Sequence, residues 1–170
     1  MADVTGVLFV CHANLCRSPL AHGILQHHVT ARGLASRFHV DSAGTWAAEG
    51  RAPHPGSVAV AQAHGISLAG VGFSRSVVPD DLERFDHVLV ADRAVHADVL
   101  RLRRLSAFGP VEGRTAQIRL IRQLVEPDAR GERCDVPDPL GGGAERFERV
   151  FALLDAACLA LLDECVAAGS

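Results

Sequence analysis

The first thirty residues constrain the fold more than any other feature of the chain. Val7-Leu8-Phe9-Val10 is a short, continuous apolar run, the mark of a parallel strand buried on both faces. A polar loop follows at once. Ser18-Pro19 then opens a helical pattern that carries Leu20, Ile24 and Leu25 on one face and runs to about Arg32. Ser18 is a good N-cap, Pro19 suits the first helical position, and Gly33 closes the segment.

The same alternation continues downstream. His39 to Ala43 reads as a second strand, and Gly56 to His64 as a helix stopped by Gly65. Asp80 to Phe85 reads as a short helix, Val88 to Ala91 as a third strand, and Ala94 to Arg104 as another helix. Leu105 to Phe108 is the candidate fourth strand, and Ala116 to Val125 has helical spacing. Glu126 to Gly143 is polar and rich in Pro and Gly, hence a loop. Glu145 to Ala168 is the longest helix, with Phe147, Val150, Phe151, Leu154, Cys158, Leu161 and Leu162 on its apolar face. Strands alternating with helices imply βαβ units, so the expected class is α/β with a central parallel sheet flanked by helices on both faces. With 170 residues, no internal repeat and no compositional break, one domain spanning 1–170 is expected. Ligands of such sheets bind beyond the carboxyl ends of the strands, which is where the loop after Val10 lies.

Composition removes several classes of function. All 17 basic residues are Arg, with no Lys, so a Walker-type phosphate loop, a Schiff-base Lys and a Lys general base are excluded. There is no Tyr for tyrosine phosphorylation of the chain itself. A net charge of -3 gives no reason to expect nucleic acid as a partner. No apolar run approaches the ~20 residues of a membrane span. The start MADVTGVLFV lacks the features of a signal peptide, and five cysteines without framework spacing suit a reducing compartment. The expectation is a cytoplasmic protein.

The loop itself reads Val10-Cys11-His12-Ala13-Asn14-Leu15-Cys16-Arg17-Ser18-Pro19. A structural zinc site needs four ligands; no second Cys/His pair follows at ribbon spacing, and no two histidines stand four apart. No metal is expected. An anion site fits better. A loop between a strand end and a helix N-terminus turns its backbone N–H groups towards one point, and the helix dipole adds to that field. Such a field stabilises anions, thiolates among them. Cys11 stands six positions before Arg17, the pattern C-x5-R, and the guanidinium fork matches two phosphoryl oxygens. A sulfur nucleophile in a phosphate cradle is arranged for attack on phosphorus. The amides from His12 through Ala13, Asn14, Leu15, Cys16, Arg17 and Ser18 would hold the equatorial oxygens. An inorganic phosphate or another oxyanion is expected there.

The stretch VLFVCHANLCRSPLA resembles the nucleophile loop of the low-molecular-weight protein tyrosine phosphatases. The likeness continues through DSAGTWAAEGRAPHPGSVAVAQAHGI, FSRSVVPDDLERFDHVLVADR and DPLGGGAERFERVFALL, in order and over nearly the whole chain. That resemblance implies four parallel strands flanked by helices, with neither metal nor cofactor, and a two-step reaction through a cysteinyl-phosphate. It also argues against a regular helix throughout Ala116 to Val125. The implied substrates are phosphotyrosine in proteins and small aryl phosphates. Expulsion of an alkoxide or phenolate needs a proton donor. The family carries its general acid in an Asp-Pro motif, which Asp138-Pro139 matches; Asp135 is the competitor in DVPDP. Ser18 is placed to hydrogen-bond the thiolate. Asn14 would hold the loop through its side chain, with Ser42 as a partner, and Asn tolerates the left-handed backbone such a loop needs. Asp92 matches an acidic position near the rim, against a plain surface or capping carboxylate. Cys16 either packs behind the loop or, as its family equivalent can, forms a reversible disulfide with Cys11. Cys158 and Cys165 read as core or near-core residues, and Cys134 has no assigned role.

Three departures bear on the substrate. Leu140, followed by three glycines, stands where the family usually has an aromatic wall to the substrate slot. His12 replaces an aliphatic residue or Thr at the mouth. Gly72 falls where many members carry a His that buttresses the loop. A protein arginine phosphatase on the same fold is the close alternative; those relatives tend to have Thr at the position of Leu15, which favours tyrosine here. A thioredoxin-coupled arsenate reductase needs two further cysteines, and Gly72 to Asp92 holds none. A catalytically silent binding module would not need Cys11, Arg17, Ser18 and Asp138 together.

Overall fold

The computed structural model describes residues 4–105 and 115–169. Four strands form one sheet in the order β2-β1-β3-β4: β1 (Thr5–Cys11), β2 (Phe38–Gly44), β3 (His87–Val90) and β4 (Gln117–Leu120). All pairings are parallel; Val10 lies opposite Ala43 on one side and Val90 on the other. Five helices join and cover the strands: α1 (Arg17–Ala31), α2 (Pro55–Ala63), α3 (Asp81–Arg84), α4 (Arg93–Leu105) and α5 (Ala144–Ala168).

The strand period of two divides the core. Val7, Phe9 and Cys11 face the side packed by α1, α2 and α5, while Leu8 and Val10 face Phe85, Val95 and Val99 on the other. Phe9 is 1% exposed, and truncating such a ring costs about 3–5 kcal/mol. All seven apolar-face residues expected on the last helix are buried, including Cys158, and Cys165 is half-buried. The chain leaves β1 for β2 on one side and later returns to β3 on the other. The strand order therefore reverses between β1 and β3, and their carboxyl ends frame a crevice. The Cys11–Ser18 loop sits at that point.

Three expectations are corrected. The fourth strand is Gln117–Leu120, not Leu105 to Phe108: Leu105 ends α4, and residues 106–108 lie outside the described ones. The helical spacing over Ala116 to Val125 resolves into that strand followed by a 3₁₀ turn at Ile121–Leu124. An edge strand has one neighbour, so Gln117 and Arg119 are tolerated in it. Ser18 is also not the helix cap. The helix already begins at Arg17, Cys16 occupies the cap position without a side-chain bond, and the Ser18 hydroxyl is turned into the site.

Candidate active site

The loop leaves β1 at Cys11 and enters α1 at Arg17. Among the described residues, the backbone N–H groups of His12 through Ser18 donate to no group of the chain. Buried amides are almost always paired, so a run of free donors beside a helix N-terminus is a cradle for an oxyanion. Asn14 makes the turn possible. Its φ of 54° is the only positive value outside glycine among the described residues, and a residue in that region curls successive amides into a nest.

Cys11 is 2% exposed, and its Sγ lies 3.0 Å from the Ser18 Oγ. The Asn14 side chain ties the loop to its surroundings with three hydrogen bonds. Its amide donates to Ser18 Oγ at 2.8 Å and to Ser42 Oγ at 3.0 Å, and its Oδ1 accepts the Arg75 backbone N–H at 3.0 Å. The expected partnership of Asn14 with Ser42 is thus present. The buttress comes from the Arg75 amide, whereas Gly72, exposed at φ 78°, brings no side chain.

Arg17 is held by its far nitrogen. Nη1 donates to Asp92 Oδ2 at 2.7 Å and to the Val136 carbonyl at 2.9 Å. Its Nε and Nη2 donate no hydrogen bond among the described residues, and Nη2 lies 3.9 Å from Asp138 Oδ2. Besides Arg17, Asp92 binds the Val95 N–H through its other oxygen and so caps α4. The two candidate acids separate clearly. Asp135 is clamped by Arg93 at 2.9 Å, which holds its carboxyl below the usual range. The Asp138 side chain is 53% exposed and faces the site.

Cys16 is buried at the back of the loop, where Ser57 Oγ donates to its carbonyl at 3.1 Å. Burial, then the negative charges at Asp138 and Cys11, push its thiol up to about 11. All five cysteines are free thiols. Cys134 is buried and donates to the Ala129 carbonyl. His12 and Leu140 are exposed, and Leu15 is partly buried against the core.

Sequence reasoning passes over three contributors. Gly44 ends β2 where a Cβ would meet the His12 carbonyl at 2.6 Å and the Asn14 nitrogen at 2.8 Å, a proximity that exists only once β2 has paired with β1. Arg75 bridges Asp41 at 2.8 Å and Asp81 at 2.9 Å, a pairing with no sequence signature. Trp46 is 68% exposed, and its backbone N–H donates to the His12 carbonyl, which fixes this residue beside the loop. Among the described residues no cluster of three His, Cys, Asp or Glu is suited to a metal ion. No helix there is long and apolar enough to cross a membrane.

Residues 6–168 match the family pattern of the low molecular weight phosphotyrosine protein phosphatases, and the chain belongs to that family. It is 35% identical to a low molecular weight protein-tyrosine-phosphatase of Streptomyces coelicolor, over 92% of this chain and 90% of that one. The crystal structure of YfkJ from Bacillus subtilis superposes with a TM-score of 0.83 at 30% identity, covering 97% of this chain and 96% of the other. The Drosophila arginine phosphatase is also similar, with a TM-score of 0.80 at 26% identity over 93% and 96% of the two chains.

Proposed function

We propose that this chain, acting as one domain, hydrolyses phosphotyrosine in proteins, and aryl phosphates, through a cysteinyl-phosphate. The observation that carries the reading is the Cys11 sulfur beside Ser18, within a loop whose amides from His12 to Ser18 are free, with Arg17 at its end. In the first step the Cys11 thiolate attacks phosphorus and the bond to the phenolic oxygen breaks. Asp138 delivers a proton to that oxygen as it leaves. The free amides and the Nε and Nη2 of Arg17 hold the equatorial oxygens through the charge redistribution. In the second step Asp138 takes a proton from water, the water oxygen bonds phosphorus, and the S–P bond breaks to give thiolate and inorganic phosphate. Ser18 donates to the leaving sulfur. No cofactor enters either step, and His12, Trp46 and Leu140 form the mouth. Five free thiols support a cytoplasmic setting.

A second reading, phosphoarginine hydrolysis, rests on the Drosophila structure and on the glycine-rich DPLGGG loop. Leu15 favours tyrosine. Hydrolysis of p-nitrophenyl phosphate in the presence of EDTA tests the mechanism: wild type turns over and Cys11→Ser does not. Turnover surviving that substitution sinks the proposal. Phosphotyrosine and phosphoarginine peptides, compared by kcat/KM, decide between the substrates.

A further inference from the structure

A groove runs from the Asp138 loop along one face of α5. Its first part, about 390 Å³, is lined by Pro137, Asp138 and Pro139 on one side and by Arg146, Arg149 and Leu153 on the helix. A second cavity of about 340 Å³ shares Arg149 and Leu153 and adds Arg122, Val125, Glu126 and Ala156, with the Glu126 carboxylate already paired to Arg122 and Arg133. The helix positions 146, 149, 153 and 156 follow one stripe at helical spacing.

Four of the five acidic residues of α5, all but Glu145, are paired. Glu148, Asp155, Asp163 and Glu164 each pair with a side chain from another element. Arg146 and Arg149 are exposed and have no carboxylate partner among the described residues. The Arg146 stem runs close against Gly142. A Cβ at Gly142 would collide with the Arg146 Cδ, so the glycine after Leu140-Gly141 makes room for the arginine stem against the Asp138 loop. Beyond the arginines the groove offers apolar surface between the paired Arg122 and Glu126 and the helix: Val125 is 49% exposed beside Leu153 and Ala156.

We propose that this groove docks the acidic segment of a protein substrate flanking its phosphorylated residue, with carboxylates on Arg146 and Arg149 and an apolar side chain beyond them at Val125 and Leu153. The proposal rests on the phosphatase reading and names the substrate class for the same site. Charge complementarity selects the occupant: two unpaired guanidinium groups beside the Asp138 loop, on a chain with net charge -3. From Arg146 to Ala156 the helix rises about 15 Å, which an extended peptide spans in about four or five residues.

The test uses two phosphotyrosine peptides, one with Asp/Glu at the flanking positions and one with Asn/Gln. Their kcat/KM ratio is measured on the wild-type chain, and their affinity ratio on Cys11→Ser by fluorescence anisotropy. The acidic peptide is expected to be favoured about five- to tenfold at low salt, with the preference shrinking in 0.5 M NaCl. In Arg146→Gln/Arg149→Gln the ratio falls to about one, and Arg149→Glu alone, which leaves the Gly142 contact intact, turns it against the acidic peptide. A wild-type ratio near one, or one that these substitutions do not move, overturns the groove. A concentration-dependent dimer lost in the double variant, with the peptide ratio unchanged, assigns the surface to a second copy and also overturns it. If neither peptide is hydrolysed, the phosphatase reading fails, and the anisotropy ratio still decides the groove.

Discussion

Gly44 gives the sharpest test of how tightly the loop is framed. In Gly44→Ala the new methyl carbon would lie 2.6 Å from the His12 carbonyl oxygen, 2.8 Å from the Asn14 nitrogen and 3.0 Å from the Ala13 carbonyl carbon. All three neighbours are backbone, so no rotamer relieves the contact. β2 cannot retreat freely either: Gly44 N–H donates to the Arg75 carbonyl, and its own carbonyl accepts the Val77 N–H. Reaching ordinary contact requires a displacement of roughly 0.8 Å, and misplacement of about 1 Å at reacting atoms costs up to ~10²-fold. The expected loss of kcat with p-nitrophenyl phosphate is therefore about 10- to 100-fold. Overpacking of this kind costs about 1–3 kcal/mol, which for a chain of this size lowers Tm by roughly 5 °C. Steady-state kinetics and differential scanning calorimetry measure the two effects separately. Gly70→Ala is the control, because a Cβ there meets nothing within 4 Å. A Gly44→Ala enzyme with kcat within twofold of wild type and an unchanged Tm would refute the reasoning.

Asp138→Ala is expected to lose about 10²-fold or more in kcat with phenyl phosphate, whose leaving group needs a proton, and less with p-nitrophenyl phosphate; equal losses would point away from a general acid. Arg75→Gln leaves Asp81, 2% exposed, facing Asp41 without the guanidinium between them. Removing one partner of such a buried pair costs about 3 kcal/mol, so Tm should fall by roughly 10 °C, and a drop under 2 °C would contradict the assignment. His22 in α1 is buried, and its Nδ1 has no hydrogen-bond partner; burial pushes its pKa down to about 4. The unfolded chain then binds the proton that the folded chain refuses. The stabilising contribution is full above the unfolded value near 6.5 and is lost as pH falls from there towards 4. The contribution amounts to at most about 3 kcal/mol. Urea midpoints at pH 7 and pH 5 should differ less in His22→Gln than in wild type, and the same difference in both would remove His22 from the account.

Much of the fold and the centre of the site were legible in the sequence because they rest on short-range rules. Val7 to Val10 reads as a buried strand from its unbroken apolar run, and α5 reads from a 3.6-residue period sustained from Phe147 to Leu162, more than four turns. Cys11 and Arg17 are joined by spacing, and their loop by its place between a strand and a helix. β4 was not legible: four residues with Gln and Arg carry too little alternation, and Ile118 and Ile121 stand three apart as on a helix. Ser18 reads as a cap because hydroxyls usually fill that role at helix starts. Its hydroxyl here has three stronger claims on it, from Cys11, Asn14 and the Ala43 carbonyl. Arg75 and Gly44 escaped for a different reason. Their importance lies in what stands opposite them after folding, 34 residues away for Asp41 and about 30 for the loop.

The Asn14 side chain ties three separately folded segments to one turn of backbone: α1 through Ser18, β2 through Ser42, and the stretch before α3 through Arg75. The cradle is accordingly a property of the assembled tertiary structure and has no existence in a peptide of the loop. The shape that binds an oxyanion is a vote taken among distant parts of the chain. A partly folded molecule, with α1 formed but the Arg75 segment undocked, would hold a cysteine and an arginine and still have no place to put a phosphate. Turnover by this chain is therefore a gauge of global folding as much as of chemistry.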